Sequence, residues 1–275
     1  LASLGACVDA PEGQVGVYLP TADAALDATD ARHGDIAVGP PGDATAGLPT
    51  TITLNAYIRD FREYDKNNPT TNPAFDNGPS ERGVVEGHLG SDGRPVYHAP
   101  TSTLPTFGRA YFDQWYRDIP DTNVSVVYPL TLTLTSDGQY EYDSRKLGIA
   151  DTSTGVFRRV FTPIDDGTPY ATPFGNEGKP HNYCFTAELH SVFTLKPGGG
   201  LLRFRSDDDA YVFIDKKLVI DLGGTHAAMG QELDVESLGL TVGQDYAIDI
   251  FYAERMGKTG DLLLTTTFEL RADVH

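Results

Sequence analysis

The sequence predicts an all-β fold, an antiparallel β-sandwich with one short helix and long loops. Three observations predict it. From Thr50 onward, runs of alternating apolar residues recur at the spacing of strands. Clusters of Gly, Asp, Asn and Pro separate these runs. A single stretch, FGRAYFDQWY, carries helical spacing, through Phe107, Tyr111, Phe112 and Trp115. A chain of 275 residues suits one large β domain with an extension, and the composition changes between residues 1–48 and 49–275.

Residues 1–48 are rich in Ala, Asp, Gly, Thr and Pro, and only Gly13 to Pro20 (GQVGVYLP) has strand character. By composition alone this segment is a polar tail. TTITLNAYI then sets Ile52, Leu54, Ala56 and Ile58 on one face. Residues 62–100 read as loop. Trp115 reads as the core anchor of the short helix. VSVVYPLTLTL, QYEY, YCFTAELHSVFTL, LLRF, YVFI, LVIDL, ELDV, YAIDIFYA and LLLTTTFEL follow as strands. In the strand from Tyr183 to Leu195, Phe185, Leu189, Phe193 and Leu195 share a face, and Cys184 falls on the more polar one.

Composition narrows the function. The net charge is −18, with 39 acidic against 21 basic residues, which argues against nucleic acid and anionic membranes. It fits a secreted or cell-surface protein that meets divalent cations or neutral glycans. No segment is long and apolar enough to span a bilayer. The start, LASLGACVDA, reads either as the tail of a lipoprotein-type signal with a lipid on Cys7 or as an ordinary small-residue terminus. The two cysteines, Cys7 and Cys184, leave open an intramolecular bridge from extension to domain and two free or intermolecular thiols.

The chemistry concentrates in SDDDAYVFIDKKLVIDLGGTH, from Ser206 to His226. Three adjacent carboxylates, Asp207 to Asp209, repel one another unless solvated or neutralised, and hard cations such as Ca2+ take such oxygens. If every short connection is a hairpin, three loops meet at one end of the sandwich: Asp207–Asp209, Gly223–Gly230 and Glu254–Gly260. Gly223 and Gly224 read as a backbone requirement, for positive φ or close approach. His226 reads as a structural hydrogen-bonding residue or a metal ligand. Glu254 and Arg255 read as an ion pair bracing their loop. The loop from Asp65, DKNNPTTNPAFDNG, has the composition of a second calcium site or of a solvated loop, and Asn123-Val-Ser125 fits a glycosylation sequon. No nucleophile–base constellation stands out, so the expected protein is not an enzyme.

QWYRD from Gln114, FTPIDDG from Phe161, HNYCFTAEL from His181, the run from Ser206 to His226, and LTVGQDYAIDIFYAER from Leu240 together resemble the fibro-slime domain family. That family in turn resembles the protective-antigen-type, jelly-roll-like β-sandwich, whose flocculin lectins bind sugar through calcium. There, two adjacent aspartates joined by a cis peptide hold the ion. By position these are Asp207 and Asp208, with Asp209 in place of the usual glycine. Lys216 replaces a second glycine, which implies a remodelled hairpin turn. The resemblance implies Ca2+ held by Asp207 and Asp208; Asp209, as the third carboxylate of the run, and Glu254, by proximity alone, complete the expected metal ligands. Together with the converging loops, this makes Asp207, Asp208, Gly224, Thr225, His226 and Arg255 the expected glycan contacts. His226 and Asp261 are further candidates for the calcium shell by proximity. The expected function is a secreted or cell-surface adhesin or matrix protein with a calcium-dependent, glycan-binding rim. The alternative is a self-assembling filament subunit whose N-terminal segment donates a strand to the next copy. A polysaccharide hydrolase is the residual reading.

Overall fold

The structure, a computed structural model, describes residues 45, 47–76, 80–98, 106–255, 257 and 259–272. Expectations for Cys7 and for the strand-like segment Gly13 to Pro20 lie outside the described residues. The strands are β1 (Thr51–Phe61), β2 (Asn123–Leu134), β3 (Tyr140–Asp143), β4 (Ile149–Asp151), β5 (Arg158–Val160), β6 (Phe185–Thr194) and β7 (Leu201–Ser206). After them come β8 (Ala210–Ile214), β9 (Lys217–Leu222), β10 (Met229–Asp234), β11 (Asp245–Glu254), β12 (Leu262–Thr266) and β13 (Arg271–Ala272). All pairings are antiparallel. The main path runs β10-β7-β12-β3-β2-β1-β6-β11-β8-β9, with β13 on β6, while β4 and β5 form a separate ribbon. The two halves of this path face each other across one core. Leu202, Phe204, Leu262 and Leu264 come from one half, and Phe185, Leu189, Val212 and Ile250 from the other. Pro129 is tolerated within β2 because β2 pairs with β3 only at Thr133 and Leu134.

The half made of β1, β6, β11 and β8 is covered on both faces. Ala210, Val212 and Ile214 of β8 enter the inner core, while Tyr211 and Phe213 enter a second, outer cluster. Ile248, Ile250 and Tyr252 of β11 divide from Phe251 and Ala253 in the same way. Burial on both faces is why these strands read as nearly continuous apolar runs. The outer cover comes from the segment that reads as loop, through Phe75, Val84, Val85 and Tyr97, and from the stretch expected as helix, through Phe112, Trp115 and Tyr116. Trp115 is its anchor, fully buried, with Phe112 at 4.9 Å between ring centroids. The expected helix shrinks to one turn, α1 (Arg109–Phe112). A second one-turn helix, α2 (Ser144–Leu147), is N-capped by Asp143, which accepts from the Arg145 N–H at 3.1 Å.

Two local expectations are corrected. Cys184 does not lie on an open polar face. It is buried in the outer cluster with its thiol free, and Phe75, Trp115 and their neighbours exclude solvent from it. The β8–β9 turn keeps the form that glycine would give it. Asp215 and Lys216 both adopt positive φ, 49° and 65°. The Lys216 carbonyl accepts from Leu89 N–H at 2.9 Å and the Asp215 N–H donates to Ala247 at 3.0 Å, holding the left-handed pair in place.

Candidate functional site

The acidic connection is not a hairpin. β7 pairs with β10 and β12, whereas β8 pairs with β9 and β11, so the chain crosses between the layers at Asp207–Asp209. It crosses back between β9 and β10, and again between β11 and β12. The register puts all three crossings at one rim. Ser206 lies opposite Met229 and Leu262 in one half, and Ala210 lies opposite Leu222 and Tyr252 in the other. Strand direction alternates in antiparallel sheets whichever strands pair, so the three loops converge without the hairpins.

The three aspartates divide the work. Asp209 turns inward and is fully buried against Arg255, whose Nε and Nη2 both lie 2.7 Å from Oδ2. Its Oδ1 accepts from Tyr211 Oη at 2.9 Å and from the Gly224 N–H at 2.7 Å. Both carboxylate oxygens are thus engaged inside the protein, which removes Asp209 from the expected metal ligands. Arg255 is corrected likewise. It is fully buried, stacks over Trp115 at 4.7 Å and donates to the Ala74 carbonyl at 3.0 Å, so it braces the outer cover and cannot face a glycan. Its ion-pair partner is Asp209, not Glu254.

Asp207 and Asp208 face the rim. Asp208 accepts from the His226 N–H at 3.2 Å and the Arg255 N–H at 2.9 Å. Asp207 accepts from the Thr259 hydroxyl, and its own N–H donates to the Asp261 carbonyl at 3.1 Å. Burial pushes Asp207 up to about 7, against the Thr259 hydrogen bond. Burial pushes Asp208 up to about 6, with Asp209 adding to it and Arg255 opposing. Glu254 is fully buried, and burial together with the charges of Asp208 and Asp207 holds its carboxyl well above the usual range. Tyr252 Oη donates to Glu254 Oε2 at 2.5 Å, while Oε1 is buried with no hydrogen-bond partner among the described residues. The rim therefore holds three carboxyls whose mutual charge the neighbouring groups do not neutralise. Hard oxygen donors with an excess of negative charge fit a cation such as Ca2+. They do not make a finished cage: among the described residues no group of three or more His, Cys, Asp or Glu side chains is arranged to hold a metal.

The remaining expected residues surround this point. Gly224 adopts φ 92°, and a Cβ on Gly223 would fall 2.5 Å from the Glu81 carbonyl, so both glycines are required by the backbone. The ring nitrogens of His226 each lie 3.1 Å from a backbone carbonyl, of Leu222 and of Ala227, as its structural reading expects. Thr225 is half-buried between them. Asp261 is taken up by Arg145, Arg205 and Ser144. The peptide joining Asp207 and Asp208 is trans, as are all described peptides, in contrast to the cis bond that the lectin resemblance implies. The loop from Asp65 satisfies itself: Asp65 Oδ1 accepts from Asn67 N–H at 2.9 Å and Asn68 Oδ1 from Thr70 N–H at 3.0 Å. Asn123 of the sequon is buried, its Nδ2 donating to the Arg117 carbonyl at 2.9 Å, so this fold does not present it as a surface acceptor.

The sequence reading missed one flank of the rim. A cleft of about 420 Å³ beside Asp207 is lined by Thr259, Gly260 and Asp261 together with Arg145, Arg158 and Arg159. These arginines come from α2 and from β5, elements that the sequence reading did not identify.

Residues 175–272 match the model of the PA14 domain. The chain is 34% identical over 241 residues to Protein psiD of Dictyostelium discoideum, covering 83% of this chain and 44% of psiD. It is 34% identical over 223 residues to Protein psiQ of the same organism, covering 80% of this chain and 21% of psiQ. The chain thus spans less than half the length of these relatives. Among solved structures it is similar to the PA14 sugar-binding domain from an RTX adhesin, with 21% identity, a TM-score of 0.24, and coverage of 33% of this chain and 48% of that one.

Proposed function

We propose that this chain is a non-catalytic, extracellular binding module whose rim holds glycan through a divalent cation, Ca2+ by its chemistry. The observation that carries the reading is the pair Asp207 and Asp208 where three crossings converge, backed by the buried Glu254, which feels the charge of both aspartates and whose Oε1 has no hydrogen-bond partner among the described residues. The PA14 match covers this rim, and the fibro-slime and calcium-lectin resemblance rests on the same residues. Asp207 and Asp208 would hold the ion, and Glu254 would add its charge from behind them. Gly224, Thr225 and His226 form the adjacent wall. Backbone carbonyls and sugar hydroxyls complete the oxygen shell that Ca2+ requires. The ion would supply electrostatic attraction for vicinal hydroxyls, and the crossings would fix its position.

Calorimetry with Ca2+ on the wild type and on Asp208→Asn, followed by glycan screening in calcium and in chelator, tests this reading. Calcium binding lost in the variant, together with calcium-dependent glycan binding, is the expected result. A correctly folded wild type that binds neither millimolar calcium nor any glycan overturns it.

A second reading, head-to-tail assembly, is supported by β10. This strand ends the sheet path, and its outer edge has no strand partner among the described residues. An extended segment from another copy could pair there. Light scattering on the full chain and on a chain lacking residues 1–48 decides it, and monomers in both cases rule it out.

A further inference from the structure

The arginine flank of the rim points to the kind of glycan, an inference that rests on the rim being a glycan site. The chain carries 39 acidic and 21 basic residues, so most of its surface repels anions. The cleft beside Asp207 departs from this, with Arg145, Arg158 and Arg159 facing Asp207 and Asp261 as its charged lining. Asp261 balances Arg145 and the buried Asp151 balances Arg158, which leaves Arg159, held by a neutral carbonyl, as the basic point of this flank.

These arginines are held in place without being used up. Arg145 projects from α2 and its Nε donates to Asp261 Oδ2 at 2.7 Å, with its side chain still 56% exposed. Arg158 is held by the buried Asp151 at 2.6 Å. Arg159 is exposed, and its Nη1 donates to the Gly148 carbonyl at 2.9 Å, which carries no full charge to cancel the guanidinium. A guanidinium has five N–H donors, so Arg145, which gives Nε and Nη2 to Asp261, and Arg159, which gives Nη1 to Gly148, each keep donors for a ligand. The turn joining β4 and β5 adds Val156 and Phe157, 68% and 64% exposed, with Arg159 5.9 Å from the Phe157 ring centre. Fixed guanidinium groups beside an exposed aromatic ring match a sugar ring that bears an anionic group.

We infer that the ligand of this rim is an anionic glycan, its ring carboxylate or sulfate held by Arg145 and Arg159 while its hydroxyls reach the Asp207–Asp208 corner. Arg158 positions the ribbon that carries Arg159, through its ion pair with Asp151. The cation and the arginines then act on opposite sides of one sugar, which a neutral glycan would not exploit.

The test compares three trisaccharides by calorimetry in millimolar calcium: galacturonic acid, its carboxyl-reduced galactose counterpart, and sulfated galactose. Either charged probe is expected to bind about tenfold tighter than the neutral one, as one charge-assisted contact allows. Arg159→Gln should erase most of that preference and Arg159→Lys should keep part of it, with thermal unfolding confirming that both variants fold. Preference for the carboxylate or for the sulfate identifies which anion the arginines read. Equal or weaker binding of both charged probes overturns this inference and leaves the glycan reading standing. If none of the three binds, this inference is overturned, and the glycan reading falls with it only when the wild type also binds neither calcium nor any glycan of the wider screen.

Discussion

Replacing Asp209 by Ala will destabilise this protein far more than changing Asp208, although the two residues are neighbours in one acidic run. Asp209 and Arg255 are both fully buried and meet at 2.7 Å, and Asp209 also accepts from Tyr211 and Gly224. Removing one partner of such a pair leaves the other charge buried and costs about 3–5 kcal/mol. That is a large part of the ~5–15 kcal/mol that holds a typical domain together. Asp208→Asn keeps an oxygen for one of its two backbone donors and should cost about 1 kcal/mol. Urea unfolding followed by tryptophan fluorescence reads both variants, because the single Trp115 lies 4.7 Å from the Arg255 guanidinium. The double change Asp209→Leu with Arg255→Met should cost less than Asp209→Ala, since apolar replacement of a whole buried pair is often tolerated. A loss below about 1 kcal/mol for Asp209→Ala would refute the reasoning, because a pair so enclosed cannot be broken that cheaply.

Three further outcomes are expected. Calcium at 100 times its dissociation constant should stabilise the wild type by ~2.7 kcal/mol, and the same urea curves should show no calcium effect in Asp208→Asn. Burial lowers the charged form of His190, but Asp249 at 2.7 Å and Glu188 outweigh it and raise the imidazole to about 9. Because that value lies above the ordinary 6.5, His190 stabilises the fold fully below pH ~6.5, and the contribution disappears as pH rises through about 9. The fall in urea midpoint between pH 6 and 10 should flatten in His190→Gln, and an unchanged slope would contradict the assignment. Lys216→Gly should stabilise by up to ~1 kcal/mol, because Lys216 occupies φ 65° with a side chain, and thermal unfolding measures it.

Much of the fold was readable because its strands obey simple parity. The main strands from β1 to β12 fall on the expected runs, and their turns carry the expected Gly, Asn, Asp and Pro. The outer cover was not readable in the same way. Phe75, Val84, Val85 and Tyr97 are scattered through a polar segment with no period, and only packing onto β8 and β11 gives them a common side. The β4–β5 ribbon escaped for a related reason. Its strands have three residues each, too few for alternation to show, and they expose Val156 and Phe157 between them. The arginine flank of the rim disappeared along with that ribbon.

The split among the aspartates, by contrast, was present in the sequence and could have been extracted. Residues 210, 212 and 214 of β8 face the inner core, so Asp209 shares the outward parity of Tyr211 and Phe213. Residues 248, 250 and 252 of β11 face inward, so Arg255 shares the outward parity of Phe251 and Ala253, and Glu254 has the inward one. Carrying each alternation one step past the strand end sends Asp209 and Arg255 to the same outer side, where they pair. It sends Glu254 between the layers, toward Asp207 and Asp208. Proximity along the rim groups all five residues together, while parity separates the pair that secures the outer cover from the three whose carboxyls burial holds above the usual range. The same separation explains how three adjacent carboxylates coexist. One is neutralised within the protein by Arg255, and the two that are left share the rim with a buried glutamate, where burial raises the proton affinity of all three.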